Sequence, residues 1–252
     1  MAEKELKLKL EGLREDIREP LSFFAEQLCE ALRVKLKSIT VVGSSLRKDF
    51  RPGKSDINTV VVLTELDHES LNKIAGMAKV MKRKMLSAPL LMTQEYIERS
   101  ADVFGIEFLN FQLTHETIFG EDAFAEVKIT KEDVRLECER ELKASLIRLR
   151  QGYISSAANR KLVRDVLVSA GKGLAPLLRA MLWLKGVEMP RDEEGTFRKA
   201  KEELEINTDS LIEVSRWRVE KVSLTQEQVE SSFKAVYKSI DKLAVLIDKL
   251  EV

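Results

Sequence analysis

The stretch GSSLRKDFRPGKSDINTVVVL, residues 43–63, gathers residue types that suit phosphate chemistry. An apolar run ends at Gly43-Ser44-Ser45. A strand that stops on glycine and serines exposes backbone N–H groups and small hydroxyls, and nothing blocks the close approach of a phosphate. Twelve positions after Ser44 comes Asp56, within Ser55-Asp56-Ile57-Asn58 at the entry to another apolar run. Residues two apart on a strand share a face, so Asp56 and Asn58 point the same way and are the candidate metal ligands. They offer one carboxylate and one amide, whereas a site for two divalent ions wants a second carboxylate where Asn58 stands. Plainer explanations stand beside these: a Gly-Ser pair marks ordinary turns, and an aspartate before a strand caps one. The intervening loop carries Arg47, Lys48, Arg51 and Lys54. Those cations suit phosphate steering or simple surface solvation.

The elements that must position this stretch follow from periodicity. Leu6, Leu10, Leu13 and Ile17 form a helical stripe over residues 3–18. Pro20 interrupts it and opens a second helix with Leu21, Phe24, Leu28 and Leu32 on one side. Residues 36–42 (LKSITVV) and 57–63 (INTVVVL) read as buried strands. Between 68 and 85 a helix is expected. Residues 86–92 (LSAPLLM) read as a third strand, which Pro89 makes an edge or an irregular one. Thr93 caps a short helix after it, and residues 104–113 (FGIEFLNFQL) read as a fourth strand.

After about residue 125 the pattern becomes entirely helical. Thr130 caps a long helix with Val134, Cys138, Leu142, Leu146, Leu149 and Tyr153 in register. Asn159 caps the next, which Pro176 should kink. Helices are expected around 196–205 and 209–221, and Thr225-Gln-Glu-Gln228 is a capping box for the last. The organisation expected is an α+β domain over residues 1–125, a mixed sheet flanked by helices, and an all-α bundle of about four or five helices over residues 126–252.

Bulk composition narrows the function. The chain has 252 residues, enough for one large domain or two small ones with real cores. Lys+Arg and Asp+Glu balance at 42 each, so the electrostatic footprint of a dedicated nucleic-acid binder is missing. The two cysteines, Cys29 and Cys138, fall in helical patterns without a CxxC and read as reduced, buried thiols. The two histidines, His68 and His115, stand far apart, which disfavours a histidine metal site. Apolar runs look too short for a bilayer, and the opening MAEKELKLKLEG does not read as a signal peptide. A cytoplasmic protein with no membrane partner is expected, and self-association stays open. SAGKGL at 169–174 lacks the P-loop glycine at Val166 and the Ser/Thr at Gly173, so it reads as helix packing.

The order of strand, Gly-Ser, a loop with proline, Ser-Asp-x-(Asp) and an apolar strand resembles the nucleotidyltransferase superfamily. Residues 36–113 carry that resemblance, and the segments TQEYIERSADVFGIEFLNF and RELKASLIRLRQGY look like those of two-domain prokaryotic members. The layout is similar to that of aminoglycoside nucleotidyltransferases, with a C-terminal helical domain. The resemblance implies an NTP as substrate or ligand, with Mg²⁺ on paired carboxylates and a third carboxylate as ligand or base. Gly43, Ser44, Ser45, Arg47, Lys54 and Ser55 would hold the nucleotide. Asp56 and Asn58 would sit at the metal, and Glu107 or Asn110, on the strand expected at 104–113, at the third position. The helical domain would hold the acceptor, a small molecule or a protein, with Arg148 and Tyr153 on that side of the site.

Asp56 matches the pattern, but Asn58 and Asn110 are amides. A missing anion at ~4 Å is worth on the order of 4 kcal/mol at an effective dielectric of ~20, so one Mg²⁺ riding on the triphosphate is easier to hold than two. Two readings follow. One is an enzyme moving a nucleoside monophosphate from an NTP to a hydroxyl. The other is a nucleotidyltransferase-fold module that binds nucleotide or a partner without turnover.

Overall fold

The structure, a computed structural model, describes residues 7–48, 50–52, 55–217 and 222–252, with only the backbone of Lys172. Contacts divide the chain into two units. The first is Met1–Ala101 with Asn110–Lys128, and the second is Asp102–Leu109 with Ile129–Val252. The second unit therefore also takes in an eight-residue piece that precedes residue 125, where the sequence pattern changes.

The first unit is built on four strands: β1 (Leu36–Val42), β2 (Asn58–Leu63), β3 (Leu90–Thr93) and β4 (His115–Gly120). Their order is β3-β2-β1-β4. β1 runs antiparallel to β2 and β4, and β2 runs parallel to β3. β3 lies at the sheet edge, as Pro89 implied. One face, with Ile39, Val41, Val61, Leu63 and Ile118, packs into a core with Leu21, Phe24 and Leu28 of helix α1 (Glu15–Leu32). The opposite face carries Thr40 and Thr117, whose hydroxyls lie 3.0 Å apart.

Several expected elements come out differently. Helix α1 starts only at Glu15 and passes through Pro20 without a break, so the two stripes do not make two helices. Leu6 lies outside the described residues. Just after it, Lys9 donates its N–H to Ile118 O at 2.9 Å, which holds this segment extended beside β4. The helix expected at 68–85 breaks at Met77 into α2 (His68–Gly76) and α3 (Ala78–Arg83). Thr93 does cap α4 (Gln94–Arg99), accepting from the Tyr96 N–H.

The larger correction is at 104–113. It is helix α5 (Gly105–Leu113), and the fourth strand is β4, directly after it. A short apolar run does not distinguish a buried strand from a buried helix. Tertiary partners decide here. The Ile106 N–H at the helix start donates to Glu137 Oε2 at 2.9 Å, and Gln112 near its end donates to Phe124 O and Val127 O.

In the second unit six further helices follow among the described residues: α6 (Lys131–Ser155), α7 (Arg160–Lys172), α8 (Leu174–Leu184), α9 (Glu193–Glu203), α10 (Asp209–Trp217) and α11 (Gln226–Asp248). The caps at Thr130 and Asn159 and the box at Thr225/Gln228 are all formed. The break after α7 falls at Gly173 rather than Pro176. Pro176 sits in the first turn of α8, where a missing N–H costs nothing, so one expected kinked helix becomes two. Arg160–Leu184 is long and apolar enough by composition to cross a membrane, but 59% of its most apolar stretch is buried within the unit. Leu167, Leu174, Leu178 and Met181 supply its core contacts with α6 and α11 residues such as Leu142, Leu146 and Ile240.

Candidate nucleotide site and a cavity in the helical unit

At the end of β1 the chain turns through a single 3-10 turn, Gly43–Leu46. Gly43 has φ +81°, a conformation that side chains rarely adopt. A Cβ built there would lie 3.6 Å from Asn58 Nδ2, so the Gly43 backbone and the Asn58 side chain are neighbours. The register agrees: Val42 pairs with Asn58 on one side and with His115 on the other. Exposure alternates through Asp56 (exposed), Ile57 (buried), Asn58 (exposed) and Thr59 (buried). Asp56 and Asn58 therefore share the face expected, open to solvent beside the glycine. Ser45 is fully buried, and its Oγ finds no hydrogen-bond partner among the described residues. Arg47 and Ser55 are half-buried on the loop that leads to Asp56. Lys54 lies outside the described residues.

The strands that flank this pair supply no further carboxylate on the Asn58 face. β3 reads LLMT. β4 presents His115 and Thr117 on that face, and Glu116, paired with Val41, falls on the other. His115 was not foreseen as part of the site. Its Nδ1 lies 2.9 Å from Phe111 O and its Nε2 2.8 Å from Asp122 Oδ2, which fixes the ring. Burial works against ionising Asp122, but the hydrogen bonds from His115 and the Phe124 N–H outweigh it and hold the carboxyl below its usual range. Among the described residues no group of three or more His, Cys, Asp or Glu is placed to hold a metal ion. One carboxylate and one amide carbonyl suit a single hard divalent ion whose remaining ligands are phosphate and water oxygens. They do not suit a pair.

Glu107 and Asn110, expected on a strand beside Asp56, stand on helix α5. Three positions apart on a helix, they are neighbours on its surface rather than on opposite faces. Glu107 belongs to the second unit, where it lines a cavity of about 370 Å³. The cavity is walled by α5, α6, α7 and the start of α8, with apolar Ile106, Leu149, Val166 and Leu177 and the small Ser169 and Gly173. Its charged groups are Glu107, Glu137, Glu141 and Arg148. Glu137 is only 6% exposed. Burial pushes its carboxyl up to about 7; the Ile106 N–H pulls the other way, and the charge and hydrogen bond of Glu107 add to the rise. Arg148 donates to Ser145 Oγ at 3.0 Å and reaches Glu141 Oε2 at 3.5 Å. Tyr153, expected beside Arg148 at an acceptor, packs its ring 4.5 Å from that of Phe233. Glu137 was missed because a carboxylate inside an apolar helical stripe carries no signal until the fold buries it.

Residues 21–117 match the family model described as "Nucleotidyltransferase domain". A search among curated proteins finds no match. Among solved structures the fold is similar to that of spectinomycin adenyltransferase AAD(9) from Enterococcus faecialis, crystallised with ATP and spectinomycin. The identity is 13%, the TM-score is 0.56, and the match covers 88% of this chain and 98% of that one. The Gly-Ser turn, Asp56 and most of the mixed sheet lie inside the matched segment, so residues 21–117 are similar to a nucleotidyltransferase domain, and the chain shares its fold with the adenyltransferase.

Proposed function

We propose that the protein transfers a nucleoside monophosphate from an NTP, ATP foremost, to a hydroxyl of a small molecule. The observation that carries this reading is the contact of Gly43, at φ +81°, with Asn58 on the face that Asp56 shares. A phosphate can approach the backbone at Gly43 because no Cβ stands there. The Ser44 hydroxyl and N–H groups of the 3-10 turn would donate to its oxygens. Asp56 supplies the carboxylate that would hold one Mg²⁺ against the phosphates, with the Asn58 carbonyl as a weaker second donor. Bound there, Mg²⁺ would offset charge on the phosphates. In the reaction the acceptor oxygen bonds to the α-phosphorus, the bond from the α-phosphorus to the α,β-bridging oxygen breaks, pyrophosphate leaves and the hydroxyl proton passes to a base or to water.

The solved neighbour was crystallised with ATP and spectinomycin, which supports ATP as the nucleotide and a small polyol as the acceptor class. A second reading, binding without turnover, rests on a specific observation. Asn58 replaces a charge, and neither β3 nor β4 offers a carboxylate on the same face as base. One experiment separates them. α-Labelled ATP, Mg²⁺ and a panel of polyols are incubated with the protein and with Asp56→Ala, and thermal unfolding is followed in parallel. Labelled product that Asp56→Ala loses supports transfer. A Mg²⁺-dependent rise in the midpoint without product supports binding only. No rise at millimolar nucleotide refutes both.

A further inference from the structure

The cavity in the helical unit carries a ligand chemistry of its own. Its volume, about 370 Å³, lies within the ~300–1,000 Å³ of small-molecule pockets and is far too large for a bare metal ion. Three carboxylates and one guanidinium line it. The guanidinium, Arg148, is already engaged by Ser145 and Glu141. Glu137 and Glu107 are hydrogen-bonded to one another, and among the described residues neither forms an ion pair. Glu137 is buried and Glu107 exposed. Arg140 acts on Glu137 through its charge without forming an ion pair. A buried carboxylate with no cation in contact is costly, and the cavity leaves space beside it. At the far wall a Cβ built on Gly173 would meet nothing within 4 Å, so that space extends to the junction of α7 and α8.

We propose that this cavity binds an organic ammonium ion: a small amine docks its charged nitrogen on Glu137 and Glu107 and lays its carbon skeleton along the apolar wall toward Gly173. The Ile106 N–H donates to one oxygen of Glu137, and the ammonium would replace the hydrogen bond that joins Glu137 to Glu107. An anion would meet three carboxylates, and a neutral molecule would leave buried Glu137 without a cation in contact. The inference stands on the second unit alone and does not depend on nucleotide transfer.

It also has a proton signature. The groups facing Glu137 are Glu107 on α5 and Arg140, Glu141 and Arg148 on α6; the described lining side chains of α7 and α8 are not ionisable. Since burial holds the Glu137 carboxyl at about 7, an ammonium ion bound below that pH expels a proton, and affinity rises with pH.

The test is titration calorimetry on the full chain at pH 6 and pH 8, with 1,4-diaminobutane and spermidine as probes. Butane-1,4-diol and succinate serve as neutral and anionic controls. The expected result is binding of the amines only, tighter at pH 8, with a heat at pH 6 that depends on the buffer's ionisation enthalpy. Glu137→Gln keeps the shape and the acceptor for Ile106. It should weaken the amines about tenfold or more and remove the buffer dependence. Gly173→Leu fills the space, leaves every charge in place and should abolish binding. Asp56→Ala should bind the amines as the natural protein does, even where it loses nucleotide. The proposal is overturned if no amine binds, if succinate binds instead, or if Glu137→Gln and Gly173→Leu both bind amines as tightly as the natural protein.

Discussion

Glu137→Gln tests the electrostatic description of the helical unit through stability alone. Burial holds the Glu137 carboxyl up to about 7, against an ordinary value of 4.5. Across that window the folded protein keeps a proton that the unfolded chain releases. The folded state then binds more protons than the unfolded one, so stability falls as pH rises. The Glu137 contribution is highest below pH 4.5, declines toward pH 7 and is flat above. Each pH unit in the window is worth about 1.4 kcal/mol, so the full decline is at most about 3.5 kcal/mol. Coupling to Glu107 spreads it over a broader range. Glutamine has no proton to lose, and its carbonyl still accepts from Ile106. The assay is urea unfolding at pH 5, 6, 7 and 8, followed by tryptophan fluorescence. The chain has two tryptophans, Trp183 and Trp217; both lie in the second unit, so the signal reports that unit directly. Relative to the natural protein, Glu137→Gln should gain about 2–3 kcal/mol between pH 5 and pH 8. A difference that stays constant over this range would falsify the burial argument, because Glu137 would then titrate alike in the folded and unfolded chains.

Other perturbations test other parts of the molecule. Asn58→Asp places a second carboxylate beside Gly43 and should tighten Mg·ATP binding about tenfold or more by calorimetry; unchanged affinity would mean that Asn58 does not face the bound ion. Gly152→Ala drives a Cβ to 2.8 Å from both Val166 methyls between α6 and α7. It should destabilise the second unit by about 1–3 kcal/mol, and pairing it with Val166→Ala should recover much of that loss; an additive double variant would refute the steric cause. Thr225→Ala removes the side chain that accepts from the Gln228 N–H and should lower stability by about 1 kcal/mol in the same fluorescence assay.

Local chemistry made much of this molecule legible before any tertiary contact was considered. Strands β1 and β2 are runs of β-branched residues bounded by Gly43 and by the polar loop. Thr93, Thr130, Asn159 and Thr225 mark helix starts because their side-chain oxygens accept from N–H groups two or three residues ahead, a device contained within one turn. Asp56 and Asn58 could be placed on one face because strand alternation is local too. The same locality explains the miss at α5. FGIEFLNFQL is apolar enough for either a strand or a helix, and what chose the helix is a carboxylate on α6, 31 residues away in sequence. Once that segment turned helical, Glu107 and Asn110 left the expected third-ligand position, and β4 brought His115 and Thr117 to the Asn58 face instead.

The amino-acid sequence by itself determined the two-part organisation, the Gly-Ser turn, the single carboxylate at Asp56 and most helix starts, since each depends on residue type and short spacing. Tertiary structure alone decided the identity of the fourth strand, the break at Gly173 and the cavity around Glu137. Those depend on which distant groups meet. A carboxylate on an apolar helix looks like any surface glutamate until neighbouring helices exclude water from it, and only then does its charge become something that a ligand can answer.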